Sequence, residues 1–397
     1  MDCAAEYSED VDEADAAAGR AKLVAQLQLI WSRVLRVAPI LPESDFFDLG
    51  GDSLLAISLL LEIEQELGIG LPVTTIYDAP TVAEFATLLS EQRKPKFSPL
   101  VLLKDGMACS PLFVVHGIGG TVIELAKLGK QVRHDGAVYA IQAKGLDGQD
   151  PPIDSIEDMA EYYVRAIREI QPAGPYFLSG YSFGGLVAVE MARRLKHEQQ
   201  EIGLLLLIDA YAHPNTWPAL TRIVVLTRRL LGRCTELAKL PWRATASYAI
   251  RKCVETVQHR KYLRRSASTG KTVRRWLRQM TVNLPPELQR VYSASESALD
   301  AYVPKFYPDK ITFLKAQVTD AVFPPNPMAV WRTLAQEFEL HSVPGDHLQL
   351  MSVHSASTAA RLSECLYRCQ GQSRGTTEVS RSWRPRPVLS SLKGKPC

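Results

Sequence analysis

The sequence predicts two unlike parts: a small all-helical bundle, then a larger domain built on a mostly parallel sheet, with helices on both faces and a helical insertion. Three observations carry this. Apolar residues from about Arg20 to residue 92 recur at helical spacing. From residue 100 onward, short apolar runs alternate with helical stretches, the pattern of buried parallel strands joined by crossover helices. The formal net charge of +3 hides a split: residues 1–92 hold 17 acidic and 4 basic residues, whereas residues 212–300 hold 17 basic and 5 acidic ones.

With 397 residues, 46% of them hydrophobic, the chain can form two or three domains with real cores. No run approaches the ~20 apolar residues that a membrane span needs, and the acidic N-terminus is unlike an export or organelle signal. Seven cysteines in so long a chain do not make a disulfide scaffold, so a cytoplasmic location is expected. The charge split argues against a uniformly basic nucleic-acid surface.

Residues 1–19 are acidic, Ala-rich and aperiodic, and are expected to be a disordered leader. Leu23, Leu27, Ile30, Trp31, Val34 and Leu35 then form one helical stripe, and Leu54, Ile57, Leu60, Leu61, Ile63 and Leu67 a second, starting near Ser53. A short turn at 74–77 follows. Thr81 and Glu84 form a capping-box pattern opening a last helix over 82–89. Residues 93–99, Arg-Lys-Pro-Lys-Phe-Ser-Pro, read as a linker. The domain over 100–370 has strands expected at 112–115, 138–141, 176–178, 204–208, 311–314 and 338–343. Helices are expected at 155–170 and 186–195. Residues of about 212–300, basic and helical, interrupt the alternation as an inserted lid. Residues 371–397 are expected to be a disordered tail.

Two motifs carry chemistry. The first is Gly50-Gly51-Asp52-Ser53-Leu54. Taken alone, such a serine is an ordinary helix-capping residue. In context, Asp45-Phe46-Phe47-Asp48-Leu49-Gly50-Gly51-Asp52-Ser53-Leu54-Leu55-Ala56 closely resembles the attachment motif of peptidyl and acyl carrier domains, and the helical layout over 20–92 agrees. The resemblance implies 4′-phosphopantetheine carried covalently on Ser53, a phosphopantetheinyl transferase that installs it, and upstream synthetase modules that load it. A helix N-terminus suits a phosphate, because free N–H groups and the positive dipole end face it. Phe46 and Phe47 are expected to anchor the loop.

The second motif is Gly180-Tyr181-Ser182-Phe183-Gly184, a G-x-S-x-G set between a strand and a helix. That context is what a nucleophile elbow requires, with Ser182 as the nucleophile. A serine hydroxyl needs a base, and the base needs an acid to orient it. Of the eight histidines, His116, His134 and His197 are excluded by chain order or helix position. His213 and His259 fall in or beside the insertion, His341 lies inside a strand, and His354 reads as an ordinary helix residue. His347, in the turn after the strand at 338–343, remains as the base. Asp209 and Asp320 both end or follow strands, and residue pattern leaves the acid open between them. Phe183, after the nucleophile, is one expected oxyanion donor; the other comes from the backbone of His116-Gly117-Ile118-Gly119-Gly120.

From Pro111 to about Arg368 the chain resembles the type I thioesterase domain of nonribosomal peptide and polyketide synthases, an α/β-hydrolase. That resemblance implies Asp209 as the acid and Ile118 as the second oxyanion donor, leaving Asp320 as a loop carboxylate and His116 as a loop-shaping residue. Together the two resemblances imply a carrier–thioesterase module. It would accept a peptidyl or acyl thioester on the arm and release it through Ser182 by hydrolysis or cyclisation. Two other readings are a proofreading thioesterase acting in trans on mis-loaded carriers and a non-catalytic docking platform. A fused carrier argues against the first, and an intact Ser182, Asp209 and His347 against the second. Cys365 and Cys369, four apart on an expected helix, lack a partner pair at metal spacing, and no metal is expected. The basic run at 260–278 is expected to be a solvated helix face or a surface that draws in the acidic carrier.

Overall fold

The computed structural model describes residues 3–91, 97–238, 284–320 and 322–373. The helical part consists of α1 (Cys3–Leu35), α2 (Ser53–Leu67), α3 (Thr75–Asp78) and α4 (Val82–Ser90). Its core is Leu27, Ile30 and Trp31 of α1 against Leu59, Ile63, Ile76, Phe85 and the loop residue Phe46, all fully buried. The Trp31 indole meets Phe46 and Phe85 edge-on, at centroid distances of 5.7 and 6.3 Å. Such contacts add about 0.5–1.5 kcal/mol each beyond burial. The capping box forms: Thr81 Oγ1 accepts the Glu84 N–H (3.3 Å) while Glu84 Oε2 accepts the Thr81 N–H (3.1 Å). One expectation is corrected. The leader, read as disordered, is helical from Cys3. Alanine and glutamate are strong helix formers, and no proline interrupts residues 3–35.

The second part is a seven-stranded sheet: β1 (Leu100–Met107), β2 (Leu112–Val115), β3 (Gly136–Ile141), β4 (Tyr176–Tyr181), β5 (Ile202–Ile208), β6 (Tyr307–Ala316) and β7 (Ala335–Val343), in the order β1-β3-β2-β4-β5-β6-β7. Only β1 is antiparallel to its neighbour; the other pairings are parallel. Two helices, α6 (Ile156–Ile170) and α7 (Phe183–His197), cover one face, and α5 (Ile123–Gln131) and α11 (Ser355–Ser373) the other. Strand β2 explains why its sequence shows no alternation. Phe113 and Val115 pack toward α6 and α7, Leu112 and Val114 toward α5 and α11, so all four are buried.

The insertion is described at its two ends, α8 (Ala219–Ala238) and α9 (Pro286–Ala301). A short α10 (Met328–Trp331) precedes β7. The basic run at 260–278 lies outside the described residues. So does the expected tail beyond Ser373, where α11 ends.

The two parts meet at a seam. Lys130 of α5 reaches Asp45 Oδ2 (3.2 Å) and Asp48 Oδ1 (2.8 Å) in the loop before α2. Its ammonium lies 5.8 Å from the centroid of Phe47, which stacks on Tyr77 of α3. The hydrophobic core of the helical part continues across the seam into Ile123, Ala143, Leu146, Leu288 and Val291. Of the two phenylalanines expected to anchor the loop, Phe46 sits in the core and Phe47 lies at this seam. A cleft of about 890 Å³ opens along the seam between Tyr77, Leu89, Phe97 and Gln142; it holds none of the catalytic candidates.

Candidate active site

Ser182 sits between β4 and α7 at φ 54° and ψ −119°, a left-handed conformation rare for a side-chain-bearing residue. Close packing below the turn holds it there. The Ser182 N–H donates to the Ile208 carbonyl at the end of β5 (2.9 Å). A Cβ on Gly184 would lie 2.1 Å from the His116 carbonyl oxygen and 2.6 Å from that of Val115, so no larger residue fits that side of the elbow. The strain lifts the hydroxyl clear of the sheet's C-terminal edge.

Asp209 follows β5, 4% exposed, with its N–H donating to the Leu314 carbonyl of β6 (2.8 Å). Its Oδ1 accepts the Ala316 N–H (3.2 Å) and the Tyr211 hydroxyl (3.4 Å). That leaves Oδ2 for His347 Nδ1, at 2.8 Å. The other ring nitrogen, Nε2, is 3.0 Å from Ser182 Oγ. With the proton on Nδ1, the imidazole donates to Asp209 and accepts from the serine hydroxyl. The structure thus brings Ser182, His347 and Asp209 into one hydrogen-bonded line. Asp320 lies apart from it and accepts the Val322 N–H of its own loop (3.2 Å). His341 is paired with Glu339 (2.8 Å).

Phe183 opens α7, and Ile118 lies in the loop after β2. Among the described residues, neither N–H is taken up by a backbone carbonyl. The loop is held by its own groups. His116 Nδ1 donates to the Gly117 carbonyl (2.5 Å), and the Gly120 N–H donates to the same oxygen (3.1 Å). The Tyr163 hydroxyl donates to His116 Nε2 (2.7 Å). Burial pushes His116 down to about 4, so it is a neutral, two-bonded strut at neutral pH.

Two residues beside the line were not singled out in the sequence. The ring of Tyr181 stacks on His347, and Phe323 lies on the imidazole at 5.2 Å between centroids. Tyr181 occupies the free position before the nucleophile, where any residue satisfies the motif. Phe323 carries no sequence signal, since its loop shows no periodicity. Cys365 and Cys369 lie on α11, their thiols raised by burial, Cys365 to about 11; no group of three metal-ligating side chains occurs among the described residues.

Ser53 is the first residue of α2, with Asp52 capping the helix through a 2.9 Å bond from the Leu55 N–H. No acidic residue lies in the first turn of α2. The positive dipole end of the helix at this terminus fits a phosphodiester.

A left-handed serine elbow at the edge of a mostly parallel sheet, facing a histidine and a buried aspartate, defines a serine hydrolase of the α/β-hydrolase fold. The chain belongs to the thioesterase-domain family, whose model matches residues 110–364. The model for the phosphopantetheine attachment site matches residues 25–89, so the helical part is a carrier domain, which implies a covalently attached 4′-phosphopantetheine and a transferase to install it. A dimodular nonribosomal peptide synthase of Bacillus subtilis (strain 168) is 36% identical over 208 residues, covering 51% of this chain and 9% of the relative. An indigoidine synthase of Streptomyces lavendulae is 33% identical over 193 residues, covering 48% and 15%. The chain therefore spans a small fraction of the length of these relatives. A solved four-domain nonribosomal peptide synthetase, bound to AMP and glycine, superposes with a TM-score of 0.52 at 24% identity, over 86% of this chain and 26% of that one; it shares the fold. No described helix is long and apolar enough to cross a membrane.

Proposed function

We propose that the chain is a termination module, with a carrier over 20–92, a linker over 93–99 and a thioesterase over 100–370. The observation that carries this is the line from Ser182 Oγ through His347 to Asp209, at 3.0 and 2.8 Å, in a chain that also holds its own carrier. Ser53 is the attachment residue. Phosphopantetheine bound there supplies the peptidyl or acyl chain as a thioester with a thiol leaving group.

The chain's own residues do the rest. Ser182 Oγ attacks the thioester carbonyl as His347 Nε2 takes its proton. Asp209 holds Nδ1 and stabilises the imidazolium that forms. The Phe183 and Ile118 N–H groups receive the oxyanion. The imidazolium returns its proton to the departing sulfur, leaving an acyl ester on Ser182. His347 then activates water, giving an acid, or a nucleophile within the chain, giving a ring. A cytoplasmic location suits an arm that ends in a free thiol.

The test is intact-mass analysis after co-expression with a phosphopantetheinyl transferase and acyl loading. Wild type should release the acyl group and Ser182→Ala should retain it. Equal release by both sinks the assignment of the nucleophile, and an arm that persists in Ser53→Ala sinks the attachment site.

A further inference from the structure

Glu124, in the first turn of α5, has no part in the hydrolase line, yet its carboxyl lies among the groups that build it. Its Oε1 accepts the Gly117 N–H at 3.2 Å. The approach is tight: a Cβ on Gly117 would lie 2.4 Å from that oxygen and 3.3 Å from the Tyr181 ring. The stem of Glu124 keeps some exposure while the carboxyl is enclosed, and burial pushes it up to about 7, against the pull of the Gly117 N–H and of His347.

Gly117 is thereby fixed from both sides. Its N–H is held by Glu124, and its carbonyl by His116 Nδ1 and the Gly120 N–H. The carbonyl of Gly117 and the N–H of Ile118 belong to one planar trans peptide and point in opposite directions. Holding the carbonyl against His116 therefore turns the Ile118 N–H the other way. A pivot of the Gly117 backbone would let that peptide rotate, and glycine resists rotation least. Glu124 blocks the pivot.

We infer that Glu124 is a positioning residue of the thioesterase: its carboxyl clamps Gly117 and keeps the Ile118 N–H aimed at the developing oxyanion. The inference rests on the function proposed above. An oxyanion donor acts in the transition state, so loss of its aim lowers kcat rather than raising KM. Three titratable groups face Glu124: His347, Tyr181 and Tyr77. Burial holds both tyrosines well above their ordinary value.

The experiment uses the full chain and a short acyl N-acetylcysteamine thioester, which needs no carrier. Glu124→Met, of similar shape but without the acceptor, should lose ~10–100-fold in kcat with KM within about twofold. Glu124→Gln keeps the acceptor and loses the charge. It should stay within about threefold of wild type in kcat. A Met variant with wild-type kcat, or a loss confined to KM, overturns the inference. If the Met variant does not fold, a loss of about tenfold or more in kcat for Glu124→Gln, which keeps the acceptor, overturns it. Ser182→Ala, run in parallel, separates the two ideas: if it still turns over, the site assignment fails; if it is inert while Glu124→Met is normal, only the clamp fails.

Discussion

Tyr181 and His347 are joined twice: their rings stack at 5.1 Å with an angle of 24°, and the Tyr181 hydroxyl donates to the His347 backbone carbonyl at 2.9 Å. Tyr181 therefore fixes the His347 imidazole plane and the main chain that carries it. Tyr181→Phe keeps the stack and removes the bond. It should lower kcat by about fivefold, the equivalent of one hydrogen bond of ~1 kcal/mol, with KM little changed. Steady-state kinetics on a small thioester checks this; a raised KM at normal kcat would mean that Tyr181 contacts substrate instead.

Asp209→Asn preserves shape but lets the amide donate toward His347 Nδ1, which favours the wrong tautomer. A fall of ~10⁴ in kcat is expected, as serine hydrolase triads show. The matching change at Asp320, which bonds only within its loop, should leave kcat within about twofold. The two variants measured side by side decide which carboxylate orients the base.

His116 gives a pH signature of stability. Its folded-state value near 4 lies below the ordinary value of 6.5, so the unfolded chain takes up the proton first. The neutral, buried ring contributes fully above 6.5, and stability is lost as pH falls from 6.5 toward 4, by on the order of 3 kcal/mol. His116→Gln cannot titrate, so its Tm should fall less steeply than that of wild type over this window. Parallel Tm slopes would contradict the assignment.

Lys130→Glu should weaken the carrier seam without touching the chemistry. The Lys130 pairs with Asp45 and Asp48 are partly exposed, so each contributes ~0.2–1 kcal/mol and is screened by salt. Release from the tethered carrier should change, release from a small thioester should not, and the difference should shrink at high ionic strength. Equal effects on both substrates would place Lys130 in the catalytic machinery.

Much of this arrangement is legible in the sequence because it depends on local rules. A strand, a G-x-S-x-G turn and a helix specify the Ser182 elbow within a few residues, and Thr81 with Glu84 specifies the start of α4. What escapes is set by tertiary contact. Strand β1 shows no alternation because it is an irregular antiparallel edge, half-buried or exposed along its length. Helix α5 is hidden by Gly129, which reads as a breaker. In the fold a Cβ there would lie 2.4 Å from Leu103 Cδ1, so the glycine is the contact between helix and strand. With α5 unseen, Glu124 and Lys130 have no visible role. The choice between Asp209 and Asp320 likewise turns on strand order, which residue spacing leaves open.

The hold on Asp209 also orders events in time. Its oxygen Oδ1 is bonded to Ala316, 107 residues further along the chain, and His347 lies 165 residues beyond Ser182. During synthesis the carrier and the serine elbow emerge before β6, so Asp209 cannot be seated until β6 docks, nor can His347 arrive before the turn after β7. Domains of this size mature as units from the N-terminal end. On the proposed function, a nascent chain carries its attachment site for a long interval before it can cleave anything, and a ribosome-stalled or truncated product lacking the last strands would hold cargo without discharging it.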